Sequence, residues 1–240
     1  MPTIPKREDF PANLKLDLVP PPKGDEATNI LVLLHGLGDH HASFAVLGGQ
    51  MNLPETACIS ISGPSGLLDL GGFHWGDDII FDSTSGGLDA DSGFKQATEM
   101  LQHVVKNVLV DKCNYSLRDI IFFGFGQGGM AALNLAVALE PDELGGIVSI
   151  GAGLPSEAPA TLDPKSKTPV LVCAGSDQSS VTSASEEKLK RVFESVEIKR
   201  YRKPGDSMPS NRDEMMPIMQ FFSRRMKSTK GVPKGSVEIG

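Results

Sequence analysis

The stretch that decides the fold is IIFFGFGQGGMAALNLA, residues 120–136. Its first four residues are β-branched or aromatic and predict a buried strand. The residues from Met130 onward are rich in Ala and Leu, which favour a helix. Four glycines lie between the two apolar parts, at positions 124, 126, 128 and 129. The segment therefore predicts a strand that passes through a very tight turn directly into a helix.

A strand, tight turn and helix of this kind has the form of a nucleophile elbow. In such an elbow the middle residue is held in a strained conformation at the carboxyl edge of the sheet, and small neighbours let the backbones cross closely. Gly124 and Gly128 occupy the small positions, and Gly126 is the middle residue. The helix that follows presents unpaired N–H groups and a partial positive charge, which can stabilise a developing oxyanion.

The rest of the chain alternates between apolar strands and amphipathic helices. Because parallel neighbours need long right-handed crossovers, this alternation predicts one α/β domain in three layers, a mostly parallel central sheet with helices on both faces. We assign 1–29 to an N-terminal extension with the first strand, 30–226 to the domain and 227–240 to a disordered tail. A loop is expected at 83–92. Strands are predicted at 14–19, 30–34, 57–62, 119–124, 146–150, 169–174 and 197–201. Helices are predicted at 92–110, 127–139, 183–193 and 212–227.

Composition excludes several function classes. The net charge is −7, the isoelectric point is near 5.3, and no basic cluster is present, so nucleic acid is not an expected partner. Residues 1–13 carry proline and charge instead of an apolar run, which predicts a cytoplasmic protein without a secretory or transmembrane segment. Cys58, Cys113 and Cys173 lack a CxxC spacing and are expected to be reduced core residues. The histidines have no metal-binding spacing, and we expect no metal and no cofactor.

Five short motifs occur in one order along the chain: HGLGD at 35–39, HWGDDI at 74–79, DSGFKQA at 91–97, GFGQGGMAAL at 124–133, and the segment 201–216 before the last helix. In these motifs the chain resembles the phospholipase/carboxylesterase group of α/β hydrolases, which includes the acyl-protein thioesterases. The resemblance implies the α/β-hydrolase fold and a small acyl or ester-like ligand. It also implies an oxyanion pocket formed by the backbone N–H groups of Leu37 and Gln127. The residues it implies along the cleft are Gly36, Gly38, His74 and Trp75.

The chain departs from the family at the three catalytic positions. The family's serine is replaced by Gly126, its histidine by Asp206 and its aspartate by Gln178; Asp177 lies one residue early and is the other candidate for the acid. Triads of this fold follow the order Ser, Asp, His, yet no histidine occurs after His103. The resemblance therefore implies no intact triad, and we interpret the chain as a catalytically impaired member that acts by binding.

Two alternatives remain open at this point. One is an active carboxylesterase or thioesterase with a rearranged site, in which His74 or Asp206 activates water. The other is a structural subunit whose cleft packs against a partner protein. His35 is expected to be a structural histidine bonded to loop backbone, and Asp89 and Asp91 to solvate their loop or cap the next helix.

Overall fold

The computed structural model describes residues 2–67, 71–81 and 86–229. A seven-stranded sheet runs through the centre in the order β1-β3-β2-β6-β7-β8-β9, and a two-stranded hairpin joins β4 to β5. β1 pairs antiparallel with β3, and the other neighbours in the sheet are parallel. The strands are β1 (Leu16–Val19), β2 (Asn29–Leu34), β3 (Thr56–Ile61), β4 (Ser65–Gly66), β5 (Phe73–His74), β6 (Ile120–Phe125), β7 (Gly146–Ile150), β8 (Val170–Ala174) and β9 (Val196–Arg200).

Helices cover both faces of the sheet. They are α1 (His41–Met51), α2 (Lys95–His103), α3 (Gln127–Ala138), α4 (Ser183–Val192) and α5 (Arg212–Arg225). Because side chains alternate along a strand, Ile30 and Val32 of β2 belong to the core cluster that includes residues of α2, α3 and α4, while Leu31 and Leu33 belong to the cluster that includes residues of α1 and α5. Both faces of β2 are thus buried, which explains its continuous apolar sequence. The predicted α/β-hydrolase fold with a mostly parallel sheet is confirmed.

The helices differ from the sequence predictions in two places. α1 was not predicted, because it contains two adjacent glycines and buries only Phe44 and Gly48, so its sequence carries little helical periodicity. The helix predicted at 92–110 is α2 from Lys95 to His103, and it continues as the π-helical segment Val104–Lys112. The seven strands of the central sheet fall within one or two residues of their predicted bounds, whereas β4 and β5 were not predicted.

Two segments near the ends of the described residues contact the central sheet. β1 is a strand of the central sheet, although the sequence assigned it to an extension. Lys227 is held at the start of β2 by a pair of hydrogen bonds with the Asn29 side chain, at 2.8 and 2.9 Å. Residues 230–240 of the predicted tail and 82–85 at the predicted loop lie outside the described residues. No described helix has the length and apolar character needed to cross a bilayer.

Candidate functional site at the β6–α3 turn

Gly126 forms the tip of a sharp turn between β6 and α3. Its backbone angles are φ 50° and ψ −120°, a conformation that strains any residue with a Cβ. The Gly126 N–H donates to the carbonyl oxygen of Ile150 at 2.8 Å, and the Gly126 carbonyl accepts from the N–H groups of Gly129 and Met130 at 2.9 and 3.1 Å. The turn is therefore fixed both to the next strand and to the first turn of α3.

The glycines around the tip are required by close packing. A Cβ on Gly124 would lie 2.5 Å from the backbone of Gly128, and one on Gly128 would lie 2.5 Å from the carbonyl oxygens of Leu34 and His35. At Gly126 a Cβ would meet no atom within 4 Å. Its surroundings therefore leave room for a side chain, and only the backbone conformation disfavours one.

The turn 35–38 after β2 lies directly against this elbow. A Cβ on Gly36 would lie 2.8 Å from the ring of Phe125. The His35 ring is wholly buried between backbone groups: Nε2 accepts from the N–H of Gly63 at 3.0 Å, so the proton is on Nδ1, which lies 2.6 Å from the carbonyl oxygen of Gly36. Burial lowers the pKa of His35. The expectation of a structural His35 is confirmed.

Trp75 and the side chain of Gln127 brace the two turns from inside. Trp75 is 0% exposed, and its indole Nε1 donates to the carbonyl oxygen of His35 at 2.9 Å. Gln127 accepts from the Trp75 N–H through Oε1 at 2.7 Å and donates through Nε2 to the carbonyl oxygen of Ala90 at 3.0 Å. Trp75 is therefore a buried support for the two turns, and its expected place along the cleft stays a prediction.

The backbone N–H groups of Leu37 and Gln127 are free to act as donors. Within the described part of the chain, neither of them donates a backbone hydrogen bond. Gln127 is the first residue of α3, where an intrahelical acceptor is not available and the helix dipole is positive. A negatively charged oxygen above Gly126 would suit these donors. Their role as an oxyanion pocket stays a prediction.

Asp206 occupies the loop after β9 and is bound to the loop after β8. Its carboxylate accepts from the Gly175 N–H at 3.0 Å, the Ser179 hydroxyl at 2.7 Å and the Ser180 N–H at 2.7 Å. The Asp206 side chain also packs on Gly151, where a Cβ would lie 2.5 Å from the Asp206 Cβ. Asp206 therefore joins two loops at the carboxyl edge of the sheet.

Asp177 and Gln178 are exposed at the far side of that loop. Gln178 has a positive φ of 50°, and the Asp177 carbonyl oxygen accepts from the Gly205 N–H at 2.8 Å. Across the described residues, the Asp177 carboxylate accepts no hydrogen bond. The identity of the acid position stays a prediction.

His74 lies in the hairpin β4–β5, which contacts the turn 35–38. His74 is buried on β5, and desolvation lowers its pKa, against the opposing effects of its backbone contact with Gly76 and the charge of Asp78. Gly38, which has a φ of 82°, donates its N–H to the Phe73 carbonyl oxygen at 2.9 Å. This hydrogen bond connects the hairpin to the turn 35–38. Gly38 is exposed and His74 is buried.

Of the two roles expected for Asp89 and Asp91, the structure shows the loop role and not the cap of α2. Asp89 accepts from the Asp91 N–H, and Asp91 accepts from the Ser156 N–H, so both stabilise loops. The helix is capped by Asp77, whose carboxylate accepts from the N–H groups of Lys95 and Gln96 at 2.9 and 2.8 Å. Asp77 lies 18 residues before Lys95, and local cap patterns cannot detect a cap at that distance.

The three cysteines are free and buried, as expected. Burial raises the pKa of Cys58 to about 12 and of Cys173 to about 11, so their thiols are protonated at neutral pH. In the described ranges, no group of three His, Cys, Asp or Glu side chains is arranged to hold a metal ion.

The sequence is similar to a known protein family and to two hydrolase relatives. A family model described as Phospholipase/Carboxylesterase matches residues 19–226. The chain belongs to that family. An uncharacterized hydrolase of Schizosaccharomyces pombe is 32% identical over 211 residues, 84% of this chain and 85% of that protein. One of Mycosarcoma maydis is 32% identical over 197 residues, 71% of this chain and 72% of that protein.

Solved structures of the same fold include two esterase-like proteins. Acyl-protein thioesterase 2 of Zea mays has a TM-score of 0.65 at 23% identity, covering 88% of this chain and 98% of its own. Esterase PE8 has a TM-score of 0.68 at 23% identity, covering 89% of this chain and 99% of its own. At this level of identity the likeness supports the fold of this family member and carries no statement on its activity.

Proposed function

We propose that this phospholipase/carboxylesterase family member does not cleave esters through an acyl-enzyme and instead binds a small acyl or ester-like ligand. The observation that carries the proposal is Gly126, which stands at the tip of the elbow without a side chain. A carbonyl carbon held there would meet no hydroxyl or thiol from that residue. Removing a triad nucleophile lowers kcat by about 10⁶ and leaves roughly 10³–10⁴ over the reaction in water.

The position of the missing base supports the same proposal. Asp206 stands where the family has histidine, and its carboxylate is already the acceptor of three hydrogen bonds from the loop after β8. A general base must instead accept a proton from a water or nucleophile within hydrogen-bond reach, whereas these acceptor positions are taken by loop donors. Asp206 is therefore proposed as a structural link between two loops.

The features that remain are those of a binding site. The free N–H groups of Leu37 and Gln127, together with the N-terminus of α3, favour a carbonyl or carboxylate oxygen over Gly126. The open space at Gly126 leaves room for the atoms of the ligand where a side chain would otherwise stand. A cytoplasmic location remains part of the proposal from the sequence.

The first experiment measures turnover and labelling together. The purified protein is incubated with short- and long-chain acyl p-nitrophenyl esters and, separately, with a fluorophosphonate probe. We expect neither ester cleavage above the level of a heat-treated sample nor covalent labelling. Cleavage at rates typical of working esterases, or a trapped acyl adduct on any residue, would refute the proposal.

A second experiment rebuilds the family residues. The double variant Gly126→Ser with Asp206→His, and the triple variant that adds Gln178→Asp, are assayed on the same esters. Replacing Asp206 also removes its loop hydrogen bonds, so thermal unfolding of each variant is measured in parallel. Recovery of hydrolysis in a folded variant would support the view that only side chains were lost.

An active esterase with a rearranged site is the competing function. It is favoured by the position of His74, which is buried in the hairpin that is bonded to the turn 35–38; burial lowers the pKa of His74, so this imidazole is neutral and able to accept a proton near pH 7. Turnover without fluorophosphonate labelling, abolished by His74→Gln, would favour this function over the binding role.

A further inference from the structure

A cavity of about 610 Å³ lies away from the elbow, between the N-terminal segment and α2. Its lining comes from the N-terminal residues 11 and 13–15, from α2, and from residues 62–64, which follow β3. The volume falls in the range of small-molecule sites. Its end residues lie at the carboxyl edge of the sheet, the edge at which open α/β sheets bind ligands. The size and position of the cavity are therefore typical of a ligand-binding site.

The floor of the cavity is apolar. It includes Leu14 and Val104, which are buried and belong to the main core, and Met100 and Phe73, which are half-buried. Because the core beneath packs these side chains, an apolar ligand group laid on them would lose its contact with water. The floor thus favours a hydrocarbon tail.

A cation stands at the N-terminal wall. Lys15 Nζ lies 4.5 Å from the centre of the Phe73 ring, and among the described residues Lys15 forms no ion pair. Its backbone is fixed, because the Lys15 carbonyl oxygen accepts from the Ser62 N–H at 2.9 Å. An unpaired ammonium in a chain of net charge −7 attracts an anion locally. Glu99 also lines the cavity and repels an anion near it, so an anionic head is expected at Lys15.

We propose that this cavity binds a small carboxylate with an apolar tail, its carboxylate at Lys15 and its tail on Leu14, Met100 and Val104. The proposal deepens the binding role proposed above, because it names the class of ligand and a second place for it. It does not depend on Gly126, since no residue of the elbow lines the cavity.

The test is isothermal titration of the full chain with sodium octanoate, 1-octanol and octylammonium chloride at pH 7. We expect octanoate to bind most tightly and octylammonium most weakly, because only the carboxylate complements Lys15. Lys15→Glu should weaken octanoate about tenfold or more, and Lys15→Arg should retain it. Met100→Trp, which fills the floor, should weaken both octanoate and octanol. Lys23→Glu, the same charge change at an exposed lysine outside the cavity, is the matched control.

Each of the following results would contradict one stated part of the proposals. Octanoate binding that is unchanged in both Lys15→Glu and Met100→Trp would overturn the cavity site while leaving a ligand at the elbow possible. Tighter binding of octylammonium would overturn the carboxylate assignment and identify Glu99 as the anchor. Absence of octanoate binding would also overturn the inference. Ester hydrolysis by the wild-type chain would refute the proposed function alone, because the cavity residues are separate from the elbow.

Discussion

Substituting Gly126 by alanine tests whether glycine relaxes the elbow. The Cβ of alanine would meet no atom within 4 Å, so the only penalty is the backbone conformation at φ 50° and ψ −120°. A residue with a Cβ held in such a conformation costs about 1–2 kcal/mol. For a chain of 240 residues the entropy of unfolding is about 0.5 kcal/mol/K, so Tm should fall by about 2–4 °C.

The assay is thermal and urea unfolding of wild type, Gly126→Ala and Gly126→Ser under the same conditions. Gly126 is the N-cap of α3, and a serine there recovers only a few tenths of a kcal/mol over glycine. Both variants should therefore be less stable than wild type, with serine slightly above alanine. If either variant unfolds at the wild-type temperature or above it, the elbow is not strained and this account of the glycine is wrong.

Four further outcomes follow from contacts in the described residues. Gly128→Ala places a Cβ 2.5 Å from two carbonyl oxygens, so we expect a loss of about 3 kcal/mol or more and little folded protein by circular dichroism. Because burial lowers the pKa of His35 below its ordinary 6.5, the unfolded chain binds the proton more readily; the free energy of unfolding should fall as pH drops below 6.5, and His35→Gln should flatten that slope in urea titrations. Lys203 lowers the pKa of Glu214 from 4.5 to about 2, so its stabilisation is present above pH 4.5 and lost as pH falls through about 2; Glu214→Gln should lower the unfolding midpoint at pH 7, and this difference should shrink as the pH is lowered toward 2. The native Cys58 thiol, with a pKa of about 12, should not react with Ellman's reagent at pH 8 until the protein is unfolded.

The sequence predicted the sheet well because its central strands are buried on both faces. β2 and β6 are continuous apolar runs bounded by turn residues, and this pattern does not depend on distant contacts. α1 could not be predicted in the same way, because its two glycines break the helical pattern and its position is fixed by packing on β2 and β3. Hydrophobic periodicity predicts a helix or strand only where the element's own sequence shows which residues are buried.

The candidate site was predictable in part. The turn geometry at Gly126 followed from the glycine spacing, since only a strand that crosses its own helix needs small residues at 124 and 128. The partners of Asp206 did not follow, because three loop donors approach it from residues 26 to 31 positions away. The burial of Trp75 was missed for the same reason, as its bonding partner His35 is 40 residues distant.

The surviving motif and the proposed loss of catalysis are compatible, because most motif residues are held by packing. Gly36, Gly124 and Gly128 each face atoms that a Cβ would overlap, so substitution there damages the fold whether or not the protein is an enzyme. Gly126 faces open space, and its identity is set only by backbone strain and by chemistry. When most residues of a motif are required for packing, a family member can retain the motif even after it has lost catalytic activity. For this chain, membership of the phospholipase/carboxylesterase family establishes the architecture, and Gly126, which faces open space, is the residue on which the proposed loss of activity rests.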